Sequence, residues 1–199
     1  AVPPVAWPAF QTGCDPHVHG IWDYRYLVHG GGQLRMNRAD RIAVPTLFDA
    51  VLENDSRVVS IHLPMTSPAP THPQATVIGG IDSPSLRDAF RGFPTAQQEL
   101  SRAGVAYDLS IVWKRRPRDF AELDRGVEKT AANFRARVAA AQLADQQADW
   151  RLMIVQFQTL DALQHRLWDL LRVAPEPVAP PAWVRRAREA ITALDACVG

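Results

Sequence analysis

Cysteine is scarce: the 199 residues contain only Cys14 and Cys197, at opposite ends and in no CxxC pairing. That excludes a disulfide framework and a zinc ribbon, and both residues read as small apolar side chains. No stretch approaches the roughly 18 consecutive apolar residues of a membrane span, and no charged-then-apolar leader ends in a cleavage site. Neither sign of charge dominates, with 22 Lys plus Arg against 21 Asp plus Glu and a net charge of +1. This balance argues against a disordered acidic tail and against an electrostatic binder of nucleic acid polymers. A P-loop, a GxGxxG fingerprint and a Ser-His-Asp set at a nucleophile elbow are also lacking. The Gly30-Gly31-Gly32 run is not followed by the Lys-Ser/Thr or helix that would make it a phosphate cradle. There is no internal repeat. An initiator Met is missing too: the chain starts Ala1-Val2-Pro3-Pro4 and stops at Gly199 inside a helical pattern, as expected of processed ends or of a piece of something longer.

Apolar residues make up 47% of the chain, enough for one domain over residues 1–199 with a real core. Short elements and turns fill the first 33 residues, with a helix expected over 7–12, Pro8 in its first turn and Gly13 at its end. Residues 45–54 predict a second helix, with Leu47, Phe48, Val51 and Leu52 on one face. Strands are expected at 57–63, 76–81, 107–113 and 150–157, helices at 94–102, 119–147 and 183–198, and a further helix directly after the 150–157 strand carrying Leu163, Leu167, Leu170 and Leu171. In the long helix Phe120, Leu123, Val127, Phe134 and Val138 recur as one buried stripe. The basic Lys114-Arg115-Arg116-Pro117-Arg118 run before it reads as a solvated connection, because no aromatic residue interleaves it as a nucleic-acid track requires. The loop over 64–75, rich in Pro, Ser and Thr, is too long for a tight turn and is a candidate functional loop. Strands alternating with helices predict an α/β layered fold with a largely parallel sheet between helices.

Ligands in open α/β sheets lie at the carboxyl ends of strands, which directs attention to Gln158-Thr159-Leu160-Asp161-Ala162-Leu163-Gln164-His165. On a helix, Asp161 and His165 project from one face, and a carboxylate with a neutral imidazole is an ordinary pair of ligands for zinc or a similar divalent cation. The residues alone leave a plainer reading open, in which Asp161 caps the helix and His165 is a surface residue. His17 and His19 sit in a Pro/Gly turn where a loop-supporting hydrogen bond is the expected role. His62 falls in a buried-looking strand and His72 in the Pro-rich loop.

Three segments together resemble the type I phosphodiesterase/nucleotide pyrophosphatase branch of the alkaline phosphatase superfamily. They are Trp7-Pro8-Ala9-Phe10-Gln11-Thr12-Gly13 with Asp15-Pro16-His17-Val18-His19-Gly20-Ile21; Pro45-Thr46-Leu47-Phe48-Asp49 through Leu63-Pro64-Met65-Thr66-Ser67-Pro68 to Gly79-Gly80-Ile81-Asp82-Ser83-Pro84-Ser85; and Asp149-Trp150 through Phe157 to Asp161-Ala162-Leu163-Gln164-His165-Arg166-Leu167-Trp168. The resemblance implies an alkaline-phosphatase-like domain, incomplete here. It also implies a two-metal hydrolase of phosphate esters, or secondarily sulfate esters, in which a Thr or Ser alkoxide attacks in line between two divalent ions, Zn or Mn. Asp161 and His165 fall on an Asp and a His that this family uses for one metal. The substrate implied is a small-molecule phosphate ester, and nothing specifies an oligomer or a compartment beyond a cytoplasmic default.

The chain also departs from the pattern. At the position of the nucleophile stand Ala6 or Ala9, and a methyl group forms no covalent phospho-enzyme. Thr12 is the nearest hydroxyl but aligns with the family's Thr-Gly. The family's remaining ligands, an Asp on a first strand and an Asp-His pair plus a later His, are expected before residue 1 and after residue 199. Two readings follow: a metal-dependent phosphoester hydrolase or a fragment of one, and a catalytically inactive relative serving as a ligand-binding or interaction module.

Overall fold

The computed structural model describes residues 3–147, 149–172 and 182–198. Both chain ends and the Pro-rich stretch ahead of the last helix lie outside the described residues. Contacts divide the chain into two compact units, Ala1–Gln98 with Ala141–Gln156, and Glu99–Ala140 with Phe157–Gly199.

The first unit opens with α1 (Pro3–Thr12) and the single turn α2 (Pro16–His19). α1 begins earlier than expected, so Pro8 lies inside the helix rather than in its first turn. Its missing N–H leaves the Pro4 carbonyl without the usual donor one turn on. Gly13, at φ +67°, supplies the left-handed exit. Next comes a hairpin that the sequence did not announce: β1 (Arg25–Leu27) pairs antiparallel with β2 (Leu34–Met36), Leu27 opposite Leu34. Gly30 and Gly32, at φ +84° and +63°, allow its turn.

α3 (Leu47–Leu52) starts at a capping box, the Thr46 hydroxyl accepting from Asp49 N–H and the Asp49 carboxylate accepting from Thr46 N–H. Pro45 therefore precedes the cap. Phe48 and Leu52 on its inner face pack with Val58, Leu63 and Val77. Strands β3 (Val58–Ile61), β4 (Ala75–Ile78) and β5 (Leu152–Val155) form one parallel sheet in the order β4-β3-β5. Central β3 is buried along its whole length, which matches its Val-Val-Ser-Ile composition. β3 and β4 are parallel neighbours joined by residues 62–74 without a helix, so this loop must run back along the sheet from the carboxyl end of β3 to the amino end of β4. The unit also contains α4 (Leu86–Ala89) and most of α5 (Pro94–Arg102). The expected α/β class and largely parallel sheet are both present.

Most of α6 (Phe120–Asp145), α7 (Gln158–Leu171) and α8 (Ala182–Val198) build the second unit. Leu123, Val127, Leu163, Leu167, Ala187 and Ala190 share its core. The α6 stripe begins at Leu123: Phe120 is 41% exposed and packs edge-to-face with Trp183, ring centroids 6.0 Å apart.

Residues 107–113 are not a strand, contrary to expectation. Asp108 folds the backbone locally, its carboxylate accepting from Ser110 N–H at 2.8 Å and from the Ser110 hydroxyl. The Arg137 guanidinium lies over the Tyr107 ring, 4.0 Å from its centroid, and Arg137 donates to the Asp108 carbonyl. Trp113 is buried against Gly126, with its indole N–H donating to Thr130 Oγ1 at 2.9 Å. These side-chain partners replace the ladder that alternation alone suggested.

The basic run is also more than a solvated link. Arg115 and Arg118 both clasp the Glu122 carboxylate, and Arg116 reaches Asp169 at 2.7 Å. The paired guanidinium groups hold the Glu122 carboxyl far below its ordinary range.

Candidate functional site

In the second unit, α7 places Asp161 and His165 on one face. The His165 Nε2 and Asp161 Oδ1 atoms are 3.4 Å apart, and the side chains are 72% and 58% exposed, so both remain open to a ligand from solvent. Asp161 does not cap the helix. Phe157 occupies the N-cap, and the side-chain partners of Asp161 are His165 and, at 3.5 Å, Gln158 Nε2. The pair fits one edge of a divalent cation's coordination sphere, a hard oxygen beside an imidazole nitrogen. Among the described residues no group of three His, Cys, Asp or Glu side chains could hold a metal. The arrangement is therefore a two-donor half-site, without the four ligands that close a structural zinc site.

In the first unit, α1 presents the segment where a nucleophile was sought. Ala6 is exposed and Ala9 half-buried, and neither offers a hydroxyl. Thr12 does not take over. Its hydroxyl donates to the Pro8 carbonyl at 2.7 Å and accepts from Cys14 N–H at 3.2 Å. It also sits at the carboxyl end of α1, where the helix dipole disfavours an alkoxide. Gln11 is buried and donates from Nε2 to the Pro64 carbonyl at 2.9 Å, tying α1 to the loop after β3.

That loop has a constrained backbone. His62 and Met65 both have φ +63°, and residues 62 to 67 are buried. Asp82 organises it: one carboxylate oxygen accepts from Met65 N–H at 2.9 Å and the other from Ser67 N–H at 3.2 Å. Burial raises the Asp82 carboxyl above its ordinary value, against the pull of those N–H groups and of Arg38. Gly79 and Gly80 make this possible by allowing close approach. A Cβ on Gly80 would lie 2.7 Å from the Leu63 carbonyl carbon, and one on Gly79 would run into the Ser83 hydroxyl. Ser67 Oγ and Ser83 Oγ are buried there with no hydrogen-bond partner. Asp82 lies in the second of the three resembling segments, which gives it no role by itself. Its only signal in the sequence is an acid two residues after a Gly-Gly pair at a strand exit.

His19 has the expected loop-supporting role. It is fully buried, its Nδ1 accepts from Ile21 N–H at 3.2 Å, and burial pushes the imidazole below its usual value.

No curated protein matches the chain. Among solved structures it is similar to the phosphonoacetate hydrolase of Sinorhizobium meliloti 1021, determined in complex with phosphonoformate. The identity is 17% and the TM-score 0.53, with the match covering 100% of this chain and 43% of that one. The likeness is one of fold: the parallel sheet with its helices corresponds to part of an alkaline-phosphatase-like architecture. The comparison with protein families agrees with the three-segment resemblance and runs almost end to end. With the match extending over residues 2–199, the chain belongs to the type I phosphodiesterase / nucleotide pyrophosphatase family.

Proposed function

We propose that the chain contributes to a phosphoester hydrolase acting on a small-molecule phosphate ester, and that Asp161 and His165 donate to one divalent cation, Zn or Mn. The observation that carries the metal assignment is the Asp161 Oδ1 to His165 Nε2 approach of 3.4 Å on an exposed helix face, with no capping bond to explain Asp161. A bound divalent cation would polarise a phosphoryl oxygen and offset its developing charge. Asp161 Oδ1 and His165 Nε2 would supply an oxygen and a nitrogen ligand to that cation. The remaining ligands are residues other than those described. The chain spans 43% of the length of its solved neighbour, so one domain over residues 1–199, partial relative to the whole, is part of the same proposal.

No phospho-enzyme forms on Ala6 or Ala9, and Thr12 is held by the α1 end. The 199 residues by themselves are therefore expected to bind divalent metal weakly and to hydrolyse phosphodiesters at most in trace. Titration of the chain with zinc or manganese tests the ligands. Asp161→Asn and His165→Ala should each weaken binding by about tenfold or more. Unchanged affinity in both variants would defeat the assignment. A nitrophenyl phosphodiester assay tests the chemistry. Fast turnover lost in His165→Ala would keep the reaction class and overturn the expected inactivity, whereas fast turnover indifferent to His165→Ala would overturn the metal role.

A further inference from the structure

A second place in the chain has binding chemistry that the metal half-site does not use. In the first unit, a cavity of about 610 Å³ lies between the β1–β2 hairpin and the residues that follow β4. Tyr26, Arg35, Arg38, Asp40, Arg41 and Asp82 contribute to its wall. Three guanidinium groups face two carboxylates, which leaves an excess of positive charge.

The carboxylates do not consume the guanidinium donors. Both Asp82 oxygens are engaged by the Met65 and Ser67 N–H groups. Among the described residues, neither Asp40 nor Asp82 forms an ion pair with Arg35, Arg38 or Arg41. Of the three arginine side chains, only Arg41 donates a hydrogen bond, from Nε to Asn37 Oδ1 at 3.0 Å. The Nη groups of all three therefore remain available.

Arg41 is also held in place. Its guanidinium carbon lies 3.6 Å from the centroid of the Tyr26 ring, a cation–π stack. Asn37, which receives its Nε–H, is itself buried and donates from Nδ2 to the Asp23 carbonyl at 2.7 Å. One planar fork is thus fixed before any ligand arrives, and less rotamer freedom is lost on binding. The cavity follows β4 at the carboxyl end of the parallel sheet, the end at which such sheets bind ligands.

We infer that this cavity is an oxyanion site that takes a phosphate group through the Arg35, Arg38 and Arg41 guanidinium forks. A tetrahedral oxyanion offers three or more acceptor oxygens and matches planar forks bidentately, whereas a neutral ligand leaves the charge excess uncompensated. Free inorganic phosphate and an organic ester share this chemistry, and the two are separated by experiment. The site uses neither Asp161 nor His165 and stands independently of the proposed hydrolase reading.

Titration calorimetry of the 199-residue chain with inorganic phosphate, at low ionic strength and with EDTA present, tests this directly. Saturable binding with a dissociation constant of about 1 mM or tighter is expected, weakening as salt is raised. Arg38→Met with Arg41→Met should weaken it by about tenfold or more, and Arg38→Lys with Arg41→Lys by a smaller factor, because lysine keeps the charge and loses the fork. Arg41 also supports the hairpin, so Arg35→Met is the second probe. The Arg35 side chain is exposed and unbonded, and its loss should weaken phosphate binding about threefold with an unchanged circular dichroism spectrum. Tighter binding of phenyl phosphate identifies an organic ester as the preferred occupant, and tighter binding of inorganic phosphate identifies the free ion; either order supports the site. Absence of saturable phosphate binding, equal binding of acetate, or arginine variants that bind like the parent would overturn it.

Discussion

Replacing Asp82 with Ala removes the only side-chain acceptor of two backbone N–H groups, Met65 at 2.9 Å and Ser67 at 3.2 Å. Both belong to a loop that keeps a non-glycine residue at φ +63° on either side of Leu63-Pro64. Each hydrogen bond to a charged acceptor contributes about 1.5–3 kcal/mol, so local opening of this loop should become easier by about 3–6 kcal/mol. Against that stands the cost of burying the carboxylate, which disappears in the variant. The global loss is therefore smaller than the local one, about 1–3 kcal/mol. Hydrogen exchange separates the two, because Met65 and Ser67 amides should exchange about a hundredfold or more faster in Asp82→Ala. A pH series adds the sign. Burial raises the Asp82 carboxyl, so between its ordinary value of 3.8 and its folded value the folded chain binds the proton more tightly than the unfolded chain does. Stability from this group is thus greatest below 3.8 and is lost as pH rises through the folded value. Asp82→Ala should lose that downward slope. Unaltered protection at Met65 and Ser67, or a variant with the parent's slope, would refute the argument.

Gly80→Ala brings a methyl group 2.8 Å from Pro64 Cα and closer still to the Leu63 carbonyl; a destabilisation of about 1–3 kcal/mol is expected by chemical denaturation, and neutrality would show that the loop can retreat. Gly126→Ala sets a helix-propensity gain of about 1 kcal/mol against a Cβ placed 2.5 Å from Trp113 Cζ3. The buried indole cannot move away freely, so a net loss, read as a lower denaturation midpoint, is the expected result. His19 titrates in the opposite sense to Asp82. Its folded value lies below the ordinary 6.5, so the unfolded chain takes the proton first and stability falls as pH drops below 6.5. His19→Asn retains an acceptor for Ile21 N–H and should flatten that fall in urea midpoints measured across this range.

How much of the chain could be read in advance depends on how far apart in sequence the deciding partners lie. Val58-Val59-Ser60-Ile61 reads as a buried strand from its own composition, and β3 is buried throughout. The i, i+4 placement of Asp161 and His165 is likewise a property of one helix, and their side chains do meet. Residues 107–113 alternate as a strand does, yet Arg137 and Gly126 capture Tyr107, Asp108 and Trp113 across a gap that no local pattern crosses. Asp82 belongs to the same class, since its partners stand 17 and 15 residues away. The arginine-lined cavity joins a hairpin to residues after β4, and the hairpin itself depends on glycines at positive φ that the sequence showed only as a turn. The alanines on α1 show the reverse case. That Ala6 and Ala9 lack a hydroxyl is plain from the sequence, but the fact that Thr12 cannot replace them is not. It follows from two hydrogen bonds and a helix end, where the Thr12 oxygen already closes the last turn of α1 on Pro8 and receives the N–H of Cys14. A nucleophile at that position would have to give up both bonds and carry its negative charge at the negative end of the helix, so the local fold, and not only residue identity, argues against attack from α1.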